Sequence, residues 1–505
     1  MFRTKPALWL VLATFLVSTA TVAWDPVPVR DDPLVRLPGT QPGDGVSLES
    51  PNRCLNCHGG YDSAVEPGFN WSGSMMTHAA RDPLFWATFA VAAQDSIWAV
   101  GRPNGTDLCL RCHLPKGWLE GRSDPTNAAA MSGSDFDGVQ CDFCHRMVDP
   151  HFASTTATQR EGNDWLDYWD ETDLSGTPSS AAAAATRSAD RAELAPLSLF
   201  NGQPYLGGDD RPTQPNYTES TGGQYFVARS ADKRASFADA AARHQMLYSR
   251  FHKSRYFCAT CHDVSNPILA NLGDVDVQPG AGGPALLTER ENTHSYFHVE
   301  RTFSEFMLSA YGQPGGSPGV GPFAPDRFTT SLPGNAIARC QDCHMRDVAG
   351  RGANKTGVPV RPEGSIEHPK SGQPLHDLTG GNALMADIIA SAVVGSPNFD
   401  SVNAALLNQG AATLTMELAA GQGVDPVALL AGRDRAQQQL QLAARISGLA
   451  YDTATGELSF RVHNQTGHKL ITGYPEGRRM FLNVVVFDAQ GEELLEINPY
   501  DNDAG

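Results

Sequence analysis

The stretch RYFCATCHDV, Arg255 to Val264, places two cysteines two residues apart with a histidine directly behind them. Three chemistries use such a pair: a structural zinc knuckle, a dithiol oxidoreductase, and covalent attachment of a porphyrin. The rest of the chain separates them. All ten cysteines fall in five such pairs, Cys54/Cys57, Cys109/Cys112, Cys141/Cys144, Cys258/Cys261 and Cys340/Cys343, and each pair is followed at once by a histidine: His58, His113, His145, His262 and His344.

C-x-x-C-H is the attachment signature of a c-type haem. Two thiols add across the two vinyl groups of one porphyrin, and the tight turn between them sets the next histidine under the iron as its proximal ligand. Five disulfides would also use ten cysteines, and paired zinc knuckles would use the C-x-x-C spacing. Neither requires histidine at the same position five times out of five. The sequence therefore predicts five covalently bound c-type haems. Successive first cysteines lie 55, 32, 117 and 82 residues apart, so no repeat of fixed period is present. The short interval between Cys109 and Cys141 predicts that the second and third haems are close neighbours.

Beyond these motifs the chain resembles the multihaem c-type cytochromes, above all exported bacterial proteins that move electrons across the periplasm or to the cell surface. The resemblance is carried by WSGSMMTHAARDPLF, CLRCHLPKGWLEGR, GVQCDFCHRMVDP, FCATCHDVSNP, CQDCHM, HDLTGGN and NQTGHKLITGYPEGRR, which together cover much of the chain from Arg53 to Phe487. In the last block Ile471 stands where the family tends to carry proline. No C-x-x-C-K variant occurs, so the lysine-ligated catalytic haem of multihaem nitrite reductases is not implied.

Function then turns on the sixth position of each iron. A side chain there leaves the haem to cycle electrons, whereas an open position allows chemistry on a small molecule. Fifteen histidines less five proximal ones leave ten, enough to close every site. The resemblance favours His78, in SMMTHAARDP, His376, opening HDLTGGN, and His468, in NQTGHKL, as distal ligands. One of His294 and His298 in HSYFHVE is a further candidate, with His298 preferred, because zinc catalysis would need a glutamate where Ser295 stands. His252, six residues ahead of Cys258, completes the candidate distal set. His151, His244, His368 and His463 read as structural or exposed, and Met75 or Met76 is the alternative to a histidine beside His78.

The N-terminus has a basic start (Arg3, Lys5), an apolar run from Ala7 to Val17 and a small-residue site ending at Ala23, the pattern of a signal peptide. Residues 1–23 are expected to be removed, leaving 36 basic against 56 acidic residues, a net charge of −20 in place of −18. Such a chain repels nucleic acid over long range and favours basic redox partners. No later run is long enough to span a bilayer. The expected location is the periplasm, the outer-membrane surface or the cell exterior.

The expected fold is mixed and loop-rich α, with covalent haems forming much of the core and a C-terminal β-sandwich-like segment. Residues 24–160 would hold haems one to three and a helix begun by Asp82-Pro83. Residues 161–235, rich in proline, glycine and alanine, read as a flexible surface insertion. Residues 236–350 would hold haems four and five, residues 351–446 a helical segment with Leu429, Leu430, Leu440 and Leu442 on one side, and residues 447–505 β-strands. Three functions fit. The first is an electron carrier working with redox proteins or other multihaem cytochromes. The second is an oxidoreductase with one open haem acting on a nitrogen or sulfur compound. The third is a self-associating protomer of a conductive filament.

Overall fold

The structure, a computed structural model, describes residues 27–150, 180–198, 203–210, 224–266, 297–361, 372–407 and 416–499, apart from a few short gaps inside these spans. The expected signal peptide lies outside them, as does most of the insertion read at 161–235. Each C-x-x-C-H motif lies on or ends a short helix: α1 (Asn52–His58), α4 (Asp107–His113), α6 (Cys141–Cys144), α8 (Arg255–Ala259) and α10 (Cys340–His344). A helix explains the motif's spacing. Residues i, i+3 and i+4 share one face, so two thiols and the imidazole point the same way.

Helices of this length do not stand alone in water; caps and neighbours hold them. Ser254 Oγ accepts from Tyr256 N at 3.1 Å at the start of α8. Asp342 Oδ2 accepts from Ala338 N and Arg339 N, both at 2.9 Å, at the start of α10.

Longer helices surround them. Helix α3 (Pro83–Val100) starts as expected, with proline in its first turn and Asp82 Oδ1 accepting from Leu84 N at 2.8 Å. It buries Phe85, Trp86, Phe89, Ser96 and Ala99, whereas Trp98 is exposed. Helix α13 (Pro426–Leu442) is capped by Asp425, which accepts from Val427 N and Ala428 N. Its apolar side is narrower than expected: Leu429 and Leu430 are buried, while Leu440 is exposed. The chain passes α2 (Pro67–Ser72) closest to α13 at two glycines: a Cβ on Gly432 would lie 1.8 Å from Gly73 O. Helix α11 (Ala383–Ser391) packs along α13. Short helices α5 (Pro115–Leu119), α9 (Thr302–Leu308) and α12 (Ser401–Leu407) lie between these elements along the chain.

One core runs through the supposed haem domains and the helical segment together, joining Phe85, Leu110, Trp118, Phe143, Phe251, Phe303, Ile389 and Leu429. Part of the supposed surface insertion is interior as well. Helix α7 (Ser180–Leu194) packs Leu194 against Val148, Tyr205 and Phe226. Tyr225 and Ala228 are fully buried, and strand β1 (Lys233–Ala235) pairs with β2 (Met246–Tyr248).

The middle of the chain adds three small antiparallel pairs: β3 (Val264–Asn266) with β4 (Phe297–Glu300), β5 (Ser317–Pro318) with β6 (Ala336–Ile337), and β7 (Asp347–Val348) with β8 (Gln373–Pro374). The C-terminal segment is two hairpins, β9 (Ala444–Asp452) with β10 (Glu457–Asn464) and β11 (Val484–Phe487) with β12 (Glu493–Ile497), each its own two-stranded sheet. The turn at Asp488–Gly491 closes as expected, with Gly491 N donating to Asp488 O at 3.1 Å. The second layer of a sandwich is missing among the described residues. Ile446, Leu449, Tyr451, Phe487, Leu494 and Leu495 stay exposed. The alternation that predicted a half-buried sheet is present, but nothing described covers its apolar side.

Candidate functional site: five histidine-bearing motifs

The motif histidines are oriented from elsewhere in the chain. His58 Nδ1 donates to Gly352 O at 2.6 Å, His113 Nδ1 to Ala79 O at 3.1 Å, His145 Nδ1 to Arg234 O at 2.8 Å and His344 Nδ1 to Thr379 O at 2.5 Å. A ring that spends its Nδ1 proton on a carbonyl carries its lone pair on Nε2. Metal-binding histidines are fixed in this way, since the carbonyl sets both tautomer and ring angle. Phe85 stacks on His113 with ring centres 4.0 Å apart and planes 10° apart, holding that imidazole further. His262 differs. It is exposed, and its backbone oxygen accepts from Phe303 N at 2.9 Å.

Burial of His58, His113, His145 and His344 favours their neutral form, the one that binds metal. Desolvation pushes His344 down to about 4, and it lowers His58, His113 and His145 as well. Among the candidate distal ligands, burial pushes His376 down to about 4, and His78 and His252 to about 3.

The candidate distal histidines divide sharply. Two imidazoles that ligate one iron from opposite sides, with metal–nitrogen bonds of about 2.0 Å, have ring centres roughly 6 Å apart. His344 and His468 lie 6.4 Å apart with planes inclined by 16°, and His145 and His376 lie 6.2 Å apart at 27°. In both pairs the second ring is also tied through Nδ1, His468 to Lys469 O at 3.0 Å and His376 to Pro374 O at 2.9 Å. Each thus keeps Nε2 for a metal.

His252 also stacks near His145, at 6.0 Å and 15°, but both its nitrogens are engaged, Nδ1 with Ser249 Oγ at 3.0 Å and Nε2 with Cys144 O at 2.8 Å. His78 is buried with Nε2 donating to Ser72 O at 3.0 Å and Nδ1 facing Arg81, so it sits as a satisfied core histidine. His298 lies in β4, opposite Ser265 of β3; its side chain, like His151, His294 and His368, is outside the described residues. His244 is exposed, and His463 bonds Ser447 Oγ across the β9–β10 hairpin at 2.5 Å.

The ten cysteines are half-buried free thiols, none joined in a disulfide. Thiols of different motifs meet. Cys54 lies beside Cys141, Cys112 beside Cys261, and Cys258 beside Cys340. The second and third motifs, closest along the chain, are not among these three pairs.

Cys57 departs from its motif partner Cys54. It sits in the last turn of α1, and the contact described for it is through its backbone, where Cys57 O accepts from Asn354 N at 2.7 Å. That bond lies two residues from Gly352, whose carbonyl receives His58, so the 352–354 loop holds the end of the first motif.

Several charges are buried around the motifs. Arg81 and Asp137 pair at 3.0 Å with no exposure of either side chain. Arg81 also donates to Ala420 O at 2.6 Å, and Asp137 accepts from Gln422 N at 2.9 Å, so the pair clips the loop before α13 onto the second motif's surroundings. Asp142, inside the third motif, holds Lys233 and Arg146. Arg234, whose carbonyl receives His145, pairs with Asp190 at 2.8 Å. Arg111, inside the second motif, lies over Trp118 and Tyr225 at 4.5 and 4.8 Å.

Sequence reasoning reached the motif histidines but missed their carbonyl partners and the role of 224–235. Averaged composition masked the run QYFVAR within that segment, whose aromatic and β-branched residues were the available signal.

No family model, curated protein or solved structure matches the chain. Among the described residues no helix is long and apolar enough to cross a membrane, and no group of three or more His, Cys, Asp or Glu residues is placed to hold a metal ion. A structural zinc would need four protein ligands; a haem iron takes at most two from the protein.

Proposed function

We propose that this protein is an exported pentahaem c-type cytochrome that carries electrons between other redox proteins, in the periplasm or outside the cell. The observation that carries the reading is the Nδ1-to-carbonyl bond made by four of the five motif histidines, each leaving Nε2 for a metal. Bound haem iron would supply reversible one-electron exchange between its ferric and ferrous states.

The chain's own part is attachment, orientation and exclusion of water. Cys54/Cys57, Cys109/Cys112, Cys141/Cys144, Cys258/Cys261 and Cys340/Cys343 supply the ten thioether sulfurs, and His58, His113, His145, His262 and His344 the proximal nitrogens. The ring spacings favour His376 opposite His145 and His468 opposite His344.

The test is intact-mass measurement with the haem absorption spectrum of protein made in a host that attaches c-type haem. Five covalent haems are expected, and replacing one cysteine pair by alanine should remove one of them. Purified native protein at the bare polypeptide mass would end the proposal. The same protein tests the alternative, an oxidoreductase with an open iron. Carbon monoxide binding by the reduced protein would favour it, and fully low-spin haems indifferent to carbon monoxide would remove it.

A further inference from the structure

We infer that the fourth attachment site is the junction of a branched arrangement, with the second, third and fifth sites as its direct neighbours and the first reached through the third. This rests on the reading of the five motifs as haem attachment sites. Three separate contacts converge on α8 and the turn before it.

Toward the fifth motif, Gln341 Nε2 donates to Ser254 O at 2.9 Å, α8 packs on α10, and the Cys258 thiol lies beside the Cys340 thiol. Toward the second, the Cys261 thiol lies beside the Cys112 thiol. Toward the third, His252 Nε2 donates to Cys144 O at 2.8 Å, and the Cys144 sulfur lies close enough to Cys258 and Cys261 to feel both. The first motif joins elsewhere, with Cys54 against Cys141 and Glu49 N donating to Asp142 Oδ2 at 2.8 Å, both on the third motif. A small cleft lies between the turn bearing His252 and Lys253 and the start of α10 at Arg339 and Gln341.

The chemistry gives these contacts their meaning. In attachment, each thiol adds across a vinyl C=C, its proton going to one carbon and its sulfur to the other, with no leaving group. Every attached sulfur is therefore bonded to a porphyrin edge, and sulfurs of two motifs in contact bring two edges together. By this map the second and third sites, adjacent in sequence, communicate through the fourth.

Because a haem's apparent potential responds to the charge of its neighbours, the map is read by redox titration monitored through the electron paramagnetic resonance of each haem. In the loaded protein, C258A/C261A removes the fourth haem. The expected result is altered signals or midpoints for three of the four haems left. C54A/C57A, removing the first, should alter only one.

His262→Met, which keeps the fourth haem attached and raises its potential, provides the same reading should C258A/C261A fail to fold. It too should disturb three neighbours. If either fourth-site variant disturbs one haem or none, or if C54A/C57A disturbs three, the junction is elsewhere. Since the parent is first shown to carry five haems, such a result overturns the map while leaving the cytochrome reading intact.

Discussion

Replacing His376 by alanine tests the site geometry most directly. His145 has two rings near it, His376 at 6.2 Å and His252 at 6.0 Å, so distance alone does not choose between them. Hydrogen bonding does. His376 uses Nδ1 on Pro374 O and keeps Nε2 for the metal, whereas His252 has Nε2 on Cys144 O and Nδ1 on Ser249 Oγ. To ligate, His252 would have to give up its buried bonds to Cys144 O and Ser249 Oγ, at about 1 kcal/mol each, whereas His376 gives up none. H376A should therefore open one iron, converting one haem of the parent protein from low-spin to high-spin, while H252A leaves the parent's low-spin count unchanged. Low-temperature electron paramagnetic resonance, with and without added imidazole, measures this. Imidazole should restore the lost low-spin fraction in H376A. A low-spin count unchanged from the parent in H376A, or one low-spin haem lost in H252A, would refute the assignment.

Three other outcomes are expected. Asp137→Ala leaves Arg81 buried without its carboxylate, and breaking such a pair costs about 3–5 kcal/mol; urea denaturation of the haem-loaded protein measures it, and an unchanged midpoint would contradict the burial of the pair. Gly432→Ala drives a methyl toward Gly73 O, 1.8 Å from the ideal Cβ, and should destabilise by about 1–3 kcal/mol in the same assay. His78 is held at about 3 by burial and by Arg81, against 6.5 for the ordinary side chain, so the folded state binds fewer protons than the unfolded one across that window. Stability should fall as pH drops from 6.5 toward 3, by roughly 5 kcal/mol at the acid limit. His78→Gln should flatten that slope and leave the haem spectrum unchanged; a lost low-spin haem would make His78 a ligand instead.

What the sequence disclosed follows the range of the interactions. A motif of five residues occupies barely more than one helical turn, so the relation between two cysteines and the next histidine is local and legible wherever it recurs. The caps at Asp82-Pro83 and Asp425-Pro426 are equally local, and the helices start where those residues predict. The orienting carbonyls are a different matter. Gly352 serves His58 from 294 positions away and Arg234 serves His145 from 89 positions away, and any residue type offers a carbonyl, so no side-chain pattern marks them. Backbone path alone decides which oxygen arrives.

The same distinction explains the distal histidines. His78, His252 and His376 are all buried or half-buried rings beside motif helices, and family likeness or proximity to a motif made each a candidate. They part company only in which nitrogen a backbone carbonyl has claimed, whether that carbonyl is near or far along the chain: Ser72 O and Cys144 O take Nε2 of His78 and His252, while Pro374 O takes Nδ1 of His376. Thr379 O, three residues beyond His376, receives His344 of the fifth motif, so one short loop serves two sites at once. A shift of that loop would move the candidate ligand of the third iron and the orienting carbonyl of the fifth together. The two sites are thus mechanically linked through the loop from His376 to Thr379, a coupling set by backbone placement.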